Sequence, residues 1–391
     1  MKKSLLFLLL SASFLLLSCQ TEYDDLDDSD VAGRSKIHWV ESSLRKVSAL
    51  SNTFISLSYP RLEELNDGSL LLVYESVSHK KVMLSKSVDG GYSWSEATVV
   101  FSGVNQINPS VPEIIELSEG TLLMAVNYRP EEPYSVGRNF SIAVKISRDS
   151  GESWGVSNVL YEGGHEFENG CWEPSFLELP GGEIQLYFAD EAPYTNSDEQ
   201  NISILRSFDK GLSWSREPEI VSFREGGRDG MPVPLFLEDR NQIILGIEDK
   251  NVGAFKPSIL TEGLVDSWRP LVVSYDYRRS YMPLATEVSD SVYMGAPYLQ
   301  RLPSGEVLLS MQTNYERGGD WDLSHQMVLV GDASGQDFAH PSYPFAVPLD
   351  KRALWNSIEV LSDGRIIALT STNAYSDDGS VEIWIIDGYA Q

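Results

Sequence analysis

The stretches SVDGGYSW (87–94), SRDSGESW (147–154) and SFDKGLSW (207–214) share the pattern S-x-D-x-G-x-S-W and recur at a constant interval along the chain. Asp, Gly and Ser favour tight turns, because short polar side chains bond to turn amides and Gly accepts a positive φ. The closing Trp can pack such a hairpin onto its own sheet. We therefore expect the three aspartates to close turns rather than to act in catalysis.

A second repeat interleaves with these octets and predicts six hairpins. Each copy has an extended segment, a polar turn and an apolar strand, as in EPSFLELPGGEIQLYFADE (173–191). Because side chains alternate along a strand, every second side chain of each first strand would face a neighbouring sheet. The apolar residues at the matching position of the six first strands are Leu62, Ile114, Phe176, Leu235, Leu299 and Ile358.

Six such units predict an all-β fold, a six-bladed β-propeller whose radial four-stranded sheets leave no long free edge. The sixth unit has only VEIWIID (381–387) after its hairpin, so one strand is missing. We expect the N-terminal KIHWVE (36–41) to return and close the last blade. Residues 36–391 are assigned to this domain.

The N-terminus is typical of an exported protein. Lys2 and Lys3 precede a short apolar run that ends in LLSC (16–19), too short to span a bilayer. This ending resembles the lipobox of bacterial lipoproteins, which implies that residues 1–19 are a signal peptide and that Cys19 is lipidated. An ordinary cleaved signal with a coincidental cysteine is the alternative.

The acidic residues 20–35 have little to bury and are predicted to be a disordered tether. The protein is therefore expected at the bacterial cell envelope, lipid-anchored on the outer-membrane surface or on the periplasmic side. The membrane would be contacted through the lipid alone.

The formal net charge of −27 argues against nucleic acid as a partner, since a polyanion would be repelled at long range. A neutral oligosaccharide meets no such barrier. Cys171 is the one cysteine left beyond Cys19, so no internal disulfide is expected. We expect no metal and no cofactor, because neither a ligand cluster nor a phosphate-binding glycine loop is visible. A monomer is expected.

The functional site is expected at the face where first strands begin and second strands end, away from the octet turns. Carboxylates and aromatic rings converge there, and such a mixture suits a glycan pocket. Some of the aromatic residues are expected to plug the channel instead. The residues predicted to contact substrate are Arg61, Trp172, Asp190, Tyr298, Tyr315, Trp321 and Trp355, beside the candidate catalytic residues Glu173 and Glu248.

Glycoside hydrolysis needs one protonated carboxylic acid and one carboxylate that acts as a nucleophile or a base. Glu173 lies between Trp172 and Pro174, and desolvation there would raise its pKa, as an acid requires. Glu248 is followed by Asp249 and Lys250, and a nearby cation would keep a nucleophile ionised. The two roles could be exchanged, and the sequence leaves retention or inversion open.

The octets are similar to the Asp-box of the sialidase superfamily. Together with GCWEPSFLELPGG (170–182) and GMPVPLFLEDRNQIILGIED (230–249), they most resemble glycoside hydrolase family 93, the exo-α-1,5-L-arabinanases. That resemblance covers about residues 36–390 and implies a retaining, exo-acting enzyme that acts on arabinan. It also implies that Glu173 and Glu248 are the catalytic pair.

An exo-sialidase is the main alternative. It would need an arginine clamp for the sialate carboxylate and a tyrosine nucleophile, yet Trp355 stands where that tyrosine is expected. Tyr343 could substitute from a loop. The candidate clamp residues are Arg228, Arg278, Arg279 and Arg352. A third possibility is a non-catalytic lipoprotein that binds glycans, since a fold does not dictate an activity.

Overall fold

A computed structural model describes residues 31–47, 56–251, 253–265 and 267–391. It is all-β, with six sheets arranged as the blades of a propeller, and so confirms the predicted fold. The predicted signal peptide, Cys19 and the tether up to residue 30 lie outside the described residues.

The strands of the described residues are numbered in chain order. They are β1 (Ile37–Trp39), β2 (Arg45–Lys46), β3 (Leu57–Glu64), β4 (Leu70–Ser76), β5 (Lys81–Ser87), β6 (Thr98–Ser102), β7 (Ile107–Glu116), β8 (Leu122–Pro130), β9 (Ser141–Ser147), β10 (Asn158–Glu162), β11 (Cys171–Glu178), β12 (Ile184–Asp190), β13 (Asn201–Ser207), β14 (Glu219–Ser222), β15 (Arg228–Leu237), β16 (Gln242–Lys250), β17 (Lys256–Gly263), β18 (Arg279–Tyr281), β19 (Met294–Arg301), β20 (Val307–Thr313), β21 (His325–Gly331), β22 (Ala339–Ser342), β23 (Ala353–Val360), β24 (Ile366–Thr372) and β25 (Glu382–Ala390).

Short 3₁₀ helices are the helical elements of the described residues, and not one of them is long and apolar enough to cross a membrane. They span Glu41–Ser43, Val77–His79, Phe167–Asn169, Glu238–Arg240 and Trp321–Leu323.

Each blade runs from an inner strand at the axis to an outer strand at the rim. The first five blades take four consecutive strands each, beginning with β3, β7, β11, β15 and β19. The sixth blade is built from β23, β24 and β25, and β1 completes it by pairing antiparallel with β25. The expected closure of the last blade by the N-terminal strand is therefore confirmed.

The predicted alignment of the six hairpins matches the strand register. Leu62 pairs with Leu72 and Ile114 with Met124, and the other blades repeat this arrangement. Their side chains pack between neighbouring sheets; Ile114, for example, lies in one buried cluster with Leu71 and Val73 of the preceding blade. Burial of these apolar faces holds the blades together, because no disulfide does so among the described residues.

Every inner strand carries a β-bulge at the same place. At the bulge two residues of the inner strand lie opposite one residue of the second strand, and the first of the two has a positive φ of 45–55°. Such a conformation is strained for a residue other than Gly. The six residues concerned are Tyr59, Val111, Glu173, Met231, Ala296 and Trp355.

These six bulge residues form a ring around the axis, which we call the bulge ring. Five of them are apolar or aromatic and pack against one another; Glu173 is the carboxylate of the ring. Pro follows the bulge residue in five blades and Asn356 follows it in the sixth. Proline suits this position because it has no N–H to donate to the ladder.

The three octets form the turns between the third and fourth strands of the first three blades. In the second octet Asp149 accepts hydrogen bonds from the Ser147 hydroxyl (2.7 Å) and from the Ser153 amide (2.9 Å) and hydroxyl (2.5 Å). Asp89 and Asp209 make the same contacts. The expectation that these aspartates close turns is confirmed.

We predict that Asp149→Ala lowers the melting temperature by about 2 °C, because the turn loses its acceptor. Hydrogen bonds from Ser153 and Ser147 lower the pKa of Asp149 to about 2. The folded pKa lies below the unfolded one, so this stabilisation is present above about pH 4 and is lost as the pH falls toward 2. Calorimetry across that range measures the effect. Glu152→Ala, in the same turn, is the control, and an equal loss in both variants would contradict the assignment.

Candidate active site

A cavity of about 440 Å³ opens on the face where inner strands begin and second strands end. Glu173 and Glu248 both line it, as do Trp321 and Trp355. The structure thus brings together four of the nine residues that the sequence predicted for this site. The remaining lining comes mainly from the fourth and fifth blades, so the cavity is displaced from the propeller axis toward them.

Glu173 reaches the cavity because it occupies the bulge of β11. The bulge interrupts the alternation of side chains along the strand and directs this residue toward the axis. Burial raises the pKa of Glu173 to about 8, although 18% of its side chain remains exposed. The guanidinium of Arg129, 3.5 Å from its carboxylate, opposes this rise, and the charge on Glu248 adds to it. Glu173 is therefore a carboxyl group that is protonated near neutral pH.

Glu248 lies near the end of β16, the second strand of the fourth blade. Its Oε2 accepts a hydrogen bond of 3.0 Å from the Ala296 amide. Burial raises the pKa of Glu248, while this hydrogen bond and the charge of Arg228 lower it. A Cβ at position 295 would collide with the Tyr293 hydroxyl and would lie 2.8 Å from Glu248 Oε2, so Gly295 leaves room for the Glu248 carboxylate.

The residues after Glu248 do not act as the sequence suggested. Lys250 lines the cavity, but its ammonium lies 5.7 Å from the Phe255 ring centre, and the cation that lowers the pKa of Glu248 is Arg228. Asp249 points the other way, because successive residues of a strand alternate. It is buried in an ion-pair network with Arg224 and Arg279.

Aromatic rings form one wall of the cavity. Tyr293 packs between Phe255, at a centroid distance of 6.4 Å, and Trp321, at 5.9 Å. Trp355 lines the cavity from the bulge ring and stacks on Tyr59 at 4.5 Å. Trp321 is 48% exposed and therefore offers a free face at the entrance. Such rings can stack on the C–H faces of a sugar.

Arg61 and Tyr298 lie one level below the bulge ring rather than in the cavity. Each follows its bulge residue by two positions, so its side chain points into the channel deeper than expected. Arg61 pairs with Glu113 at 3.2 Å, and the Tyr298 hydroxyl donates to Glu113 over 3.2 Å. All three are buried. They fill the channel beneath the bulge ring and do not line the cavity, so the structure does not place Arg61 and Tyr298 at the predicted contact with substrate.

Asp190 is buried behind the inner strand and does not line the cavity. It is eight residues beyond Gly182, whereas Glu75 is seven beyond Gly68, and this difference of one reverses the side of the strand. The Tyr161 hydroxyl donates to Asp190 over 2.8 Å, and burial raises the pKa of Asp190 to about 6. The structure therefore corrects the predicted substrate contact of Asp190.

Trp172 and Tyr315 also lie outside the cavity lining. Trp172 precedes the bulge residue, so its side chain points away from the axis and packs against Phe140 and Phe167. The guanidinium of Arg129 lies over its ring, 5.0 Å from the ring centre. Tyr315 is buried in the core of the fifth blade. Both residues support the site from behind, which corrects their predicted contact with substrate.

Sequence reasoning missed Arg129 and assigned Arg228 to a carboxylate clamp, although both cations act on Glu173. Arg129 follows Asn127 by two residues on β8, and so extends past the expected end of a second strand. Arg228 lies at the start of β15, where it pairs with the buried Glu191 and with Asp198 at 2.8 Å. The length of β8, nine residues against seven in β4, was the available signal for Arg129.

Each of the arginines proposed for a carboxylate clamp pairs with a carboxylate of the protein. Arg279 pairs with Asp229 and Asp249, and Arg278 with Asp276 and Glu262, on the far side of the fourth blade. Arg352 pairs with Asp322, and Arg228 pairs with Glu191. Tyr343 stacks on His325 away from the cavity. In the described ranges, no group of His, Cys, Asp and Glu side chains is arranged to hold a metal ion.

Comparison with solved structures gives several propellers of the same architecture. An α-L-arabinanase from Penicillium chrysogenum, complexed with arabinobiose, is 18% identical over 88% of this chain and 97% of that chain, with a TM-score of 0.64. A GH93 α-L-arabinofuranosidase from Fusarium graminearum, also with arabinobiose, is 18% identical over 88% of this chain and 97% of that chain, with a TM-score of 0.67. A mutant NanB sialidase from Streptococcus pneumoniae is 15% identical over 88% of this chain and 71% of that chain, with a TM-score of 0.58.

These similarities establish a shared fold: the chain has the six-bladed propeller of arabinanase, arabinofuranosidase and sialidase structures. The fold implied by the sequence resemblance is therefore confirmed. No protein-family model matches the chain, and no curated protein matches it in sequence.

We predict that Glu248→Gln lowers the pKa of Glu173, because a negative neighbour that opposes ionisation is removed. Carboxyl-¹³C NMR of glutamate-labelled protein can follow this titration, with the Glu173 signal assigned by its loss in Glu173→Gln. Glu166→Gln, a change at an exposed carboxylate, should leave the titration unchanged. An identical Glu173 titration in Glu248→Gln and the parent protein would show that the two groups do not interact.

Proposed function

We propose that the protein is an exo-acting glycoside hydrolase that cleaves arabinan by a retaining mechanism with two glutamates. The observation that carries this proposal is the placement of Glu173 and Glu248 on one cavity with an aromatic wall. Burial raises the pKa of both carboxyl groups, to about 8 for Glu173. Glu248 also accepts a backbone hydrogen bond from Ala296, which favours its anion and suits a nucleophile.

In the first step of this mechanism the Glu248 carboxylate attacks the anomeric carbon. Glu173 gives its proton to the departing glycosidic oxygen as the C–O bond breaks. In the second step the Glu173 carboxylate takes a proton from water, whose oxygen attacks the same carbon. The bond to Glu248 then breaks, and its electron pair returns to the carboxylate.

The exo mode of action is carried over from the sequence resemblance to the exo-α-1,5-L-arabinanases. The buried Arg61, Glu113 and Tyr298 fill the channel beneath the bulge ring, so a sugar chain would approach the cavity from one face of the propeller.

Arabinan is favoured over sialic acid by the charges of the site. A sialate carboxylate calls for free guanidinium groups, and in the described part of the chain the candidate arginines pair with carboxylates instead. Trp355 stands where the sialidase tyrosine is expected, and Tyr343 stacks on His325 outside the cavity lining. Two of the structures with this fold hold arabinobiose.

Glu173→Gln and Glu248→Gln should each lower turnover of linear arabino-oligosaccharides by about a thousandfold or more while the sugars still bind. The test incubates residues 31–391 with these oligosaccharides and, separately, with sialyl-lactose, and identifies the products. Isothermal titration measures binding to the variants. The expected product is a short arabinose-containing sugar from the chain end.

Two outcomes would reject the proposal. Release of free sialic acid alone would identify a sialidase, and binding of arabino-oligosaccharide without turnover would identify a glycan-binding protein. Glu166→Gln, which changes an exposed carboxylate, is the matched control and should keep full turnover.

We further propose that the protein is held at the bacterial envelope by a lipid on Cys19. The support is the charged, apolar and LLSC-ending N-terminus. Cys19→Ser should move the protein from the membrane fraction to the soluble fraction and abolish incorporation of labelled palmitate. Incorporation that persists in the variant would contradict lipidation at this residue.

A further inference from the structure

Arg129 lies at the junction of the groups that surround Glu173. Its guanidinium is 3.5 Å from the Glu173 carboxylate and 5.0 Å from the Trp172 ring. Burial opposes the charge on Arg129, yet Glu173, Glu75 and the Tyr59 hydroxyl keep the pKa of Arg129 above its usual value. Arg129 is therefore a fixed positive charge beside the proposed acid.

The position of Arg129 is set by Asn127, which is fully buried. The Asn127 Oδ1 accepts a hydrogen bond of 2.5 Å from Arg129 Nε. The Asn127 Nδ2 donates to the Cys171 carbonyl over 2.6 Å, two residues before Glu173. One amide thus ties the guanidinium to the strand that carries Glu173, and Trp172 limits its movement from below.

Charges of both signs act on Glu173. Glu248 and Glu191 favour its protonated form, and Arg129 and Arg228 favour its anion. The hydroxyls of Tyr59 and Tyr293 also lie close enough to respond to Glu173. Among the two cations Arg129 makes the direct contact, whereas Arg228 is engaged by Glu191 and Asp198.

We propose that Arg129 is a positioning residue that allows Glu173 to change from acid to base within one catalytic cycle. This inference rests on the proposed retaining function. When Glu248 becomes bonded to the sugar its negative charge disappears, while the charge of Arg129 stays. The balance at Glu173 then favours the anion, which is the form that must take a proton from water.

Arg129→Gln tests this role because it removes the charge and keeps a side chain that can donate to Asn127. The alkaline limb of the kcat/KM profile should move up by about one pH unit, since Glu173 loses the cation that favours its ionisation. With an aryl arabinofuranoside, release of the aryl group should show a burst followed by a steady state about tenfold slower. The burst is expected because hydrolysis of the glycosyl-enzyme intermediate, which regenerates the free enzyme, becomes the slow step.

Arg129→Lys keeps the charge and should restore the alkaline limb to near its original pH. Arg216→Gln removes an exposed charge far from the cavity and should change neither the pH profile nor the burst. A merely structural role would lower turnover equally at all pH values. An unmoved alkaline limb in Arg129→Gln, with the fold intact by thermal melting, would overturn the proposal.

A second readout separates this inference from the proposed function. Carboxyl-¹³C NMR measures the titration of Glu173 without substrate, and Arg129→Gln should raise its pKa by about one unit. If the protein hydrolyses no glycoside, the proposed function fails and the link between Arg129 and Glu173 is still decided by this titration. If hydrolysis occurs and the titration does not move, the inference alone is rejected.

Discussion

The bulge in each inner strand is the constraint on which the site depends. It places a residue with positive φ at the axis in all six blades and so forms the bulge ring. The strain of one such residue costs about 1–3 kcal/mol and persists because the surrounding sheets impose it. Five members fill the ring with apolar contacts. In the third blade the same bulge places Glu173 in the ring. A carboxyl group thus takes a position that is apolar in the other blades, without any change in the fold.

Polar side chains fill the channel directly below the bulge ring. Arg61, Glu113 and Tyr298 follow their bulge residues by two positions and satisfy one another in the channel. Removing any one of them would leave a buried charge or hydroxyl without its partner, which is unfavourable in such surroundings. The channel beneath the bulge ring is thus filled by side chains that satisfy one another's polar groups.

Much of the fold could be predicted from the sequence because its evidence repeats. The three octets recur at one interval and the six hairpins share one pattern, so Leu62 and Ile114 align with their equivalents despite differences elsewhere. Alternation was also sufficient to place Glu248 on the cavity. The bulge breaks that alternation, so Arg61 was placed one level too high, although the proline after the bulge residue recurs in five blades and could have indicated it.

The rest of the site depends on features that no repeat marks. Asp190 and Glu75 differ by one residue in their distance from the turn, and a shift of one residue sends a side chain to the opposite face. Arg129 lies beyond the common length of a second strand, and Tyr293 precedes β19 in a segment without a counterpart in the other blades. Their convergence on Glu173 and Glu248 is a tertiary result that strand patterns do not encode.

The entry of the N-terminal strand has a consequence for orientation. Arg34 donates to the Val330 and Asp337 carbonyls, and Ser35 bonds to Glu306, all on the side of the propeller that carries the hairpin turns. The chain therefore leaves the domain opposite the cavity. If Cys19 holds the protein to a membrane, the link to that membrane joins the propeller on the face opposite the cavity, and the cavity would then open away from the lipid surface.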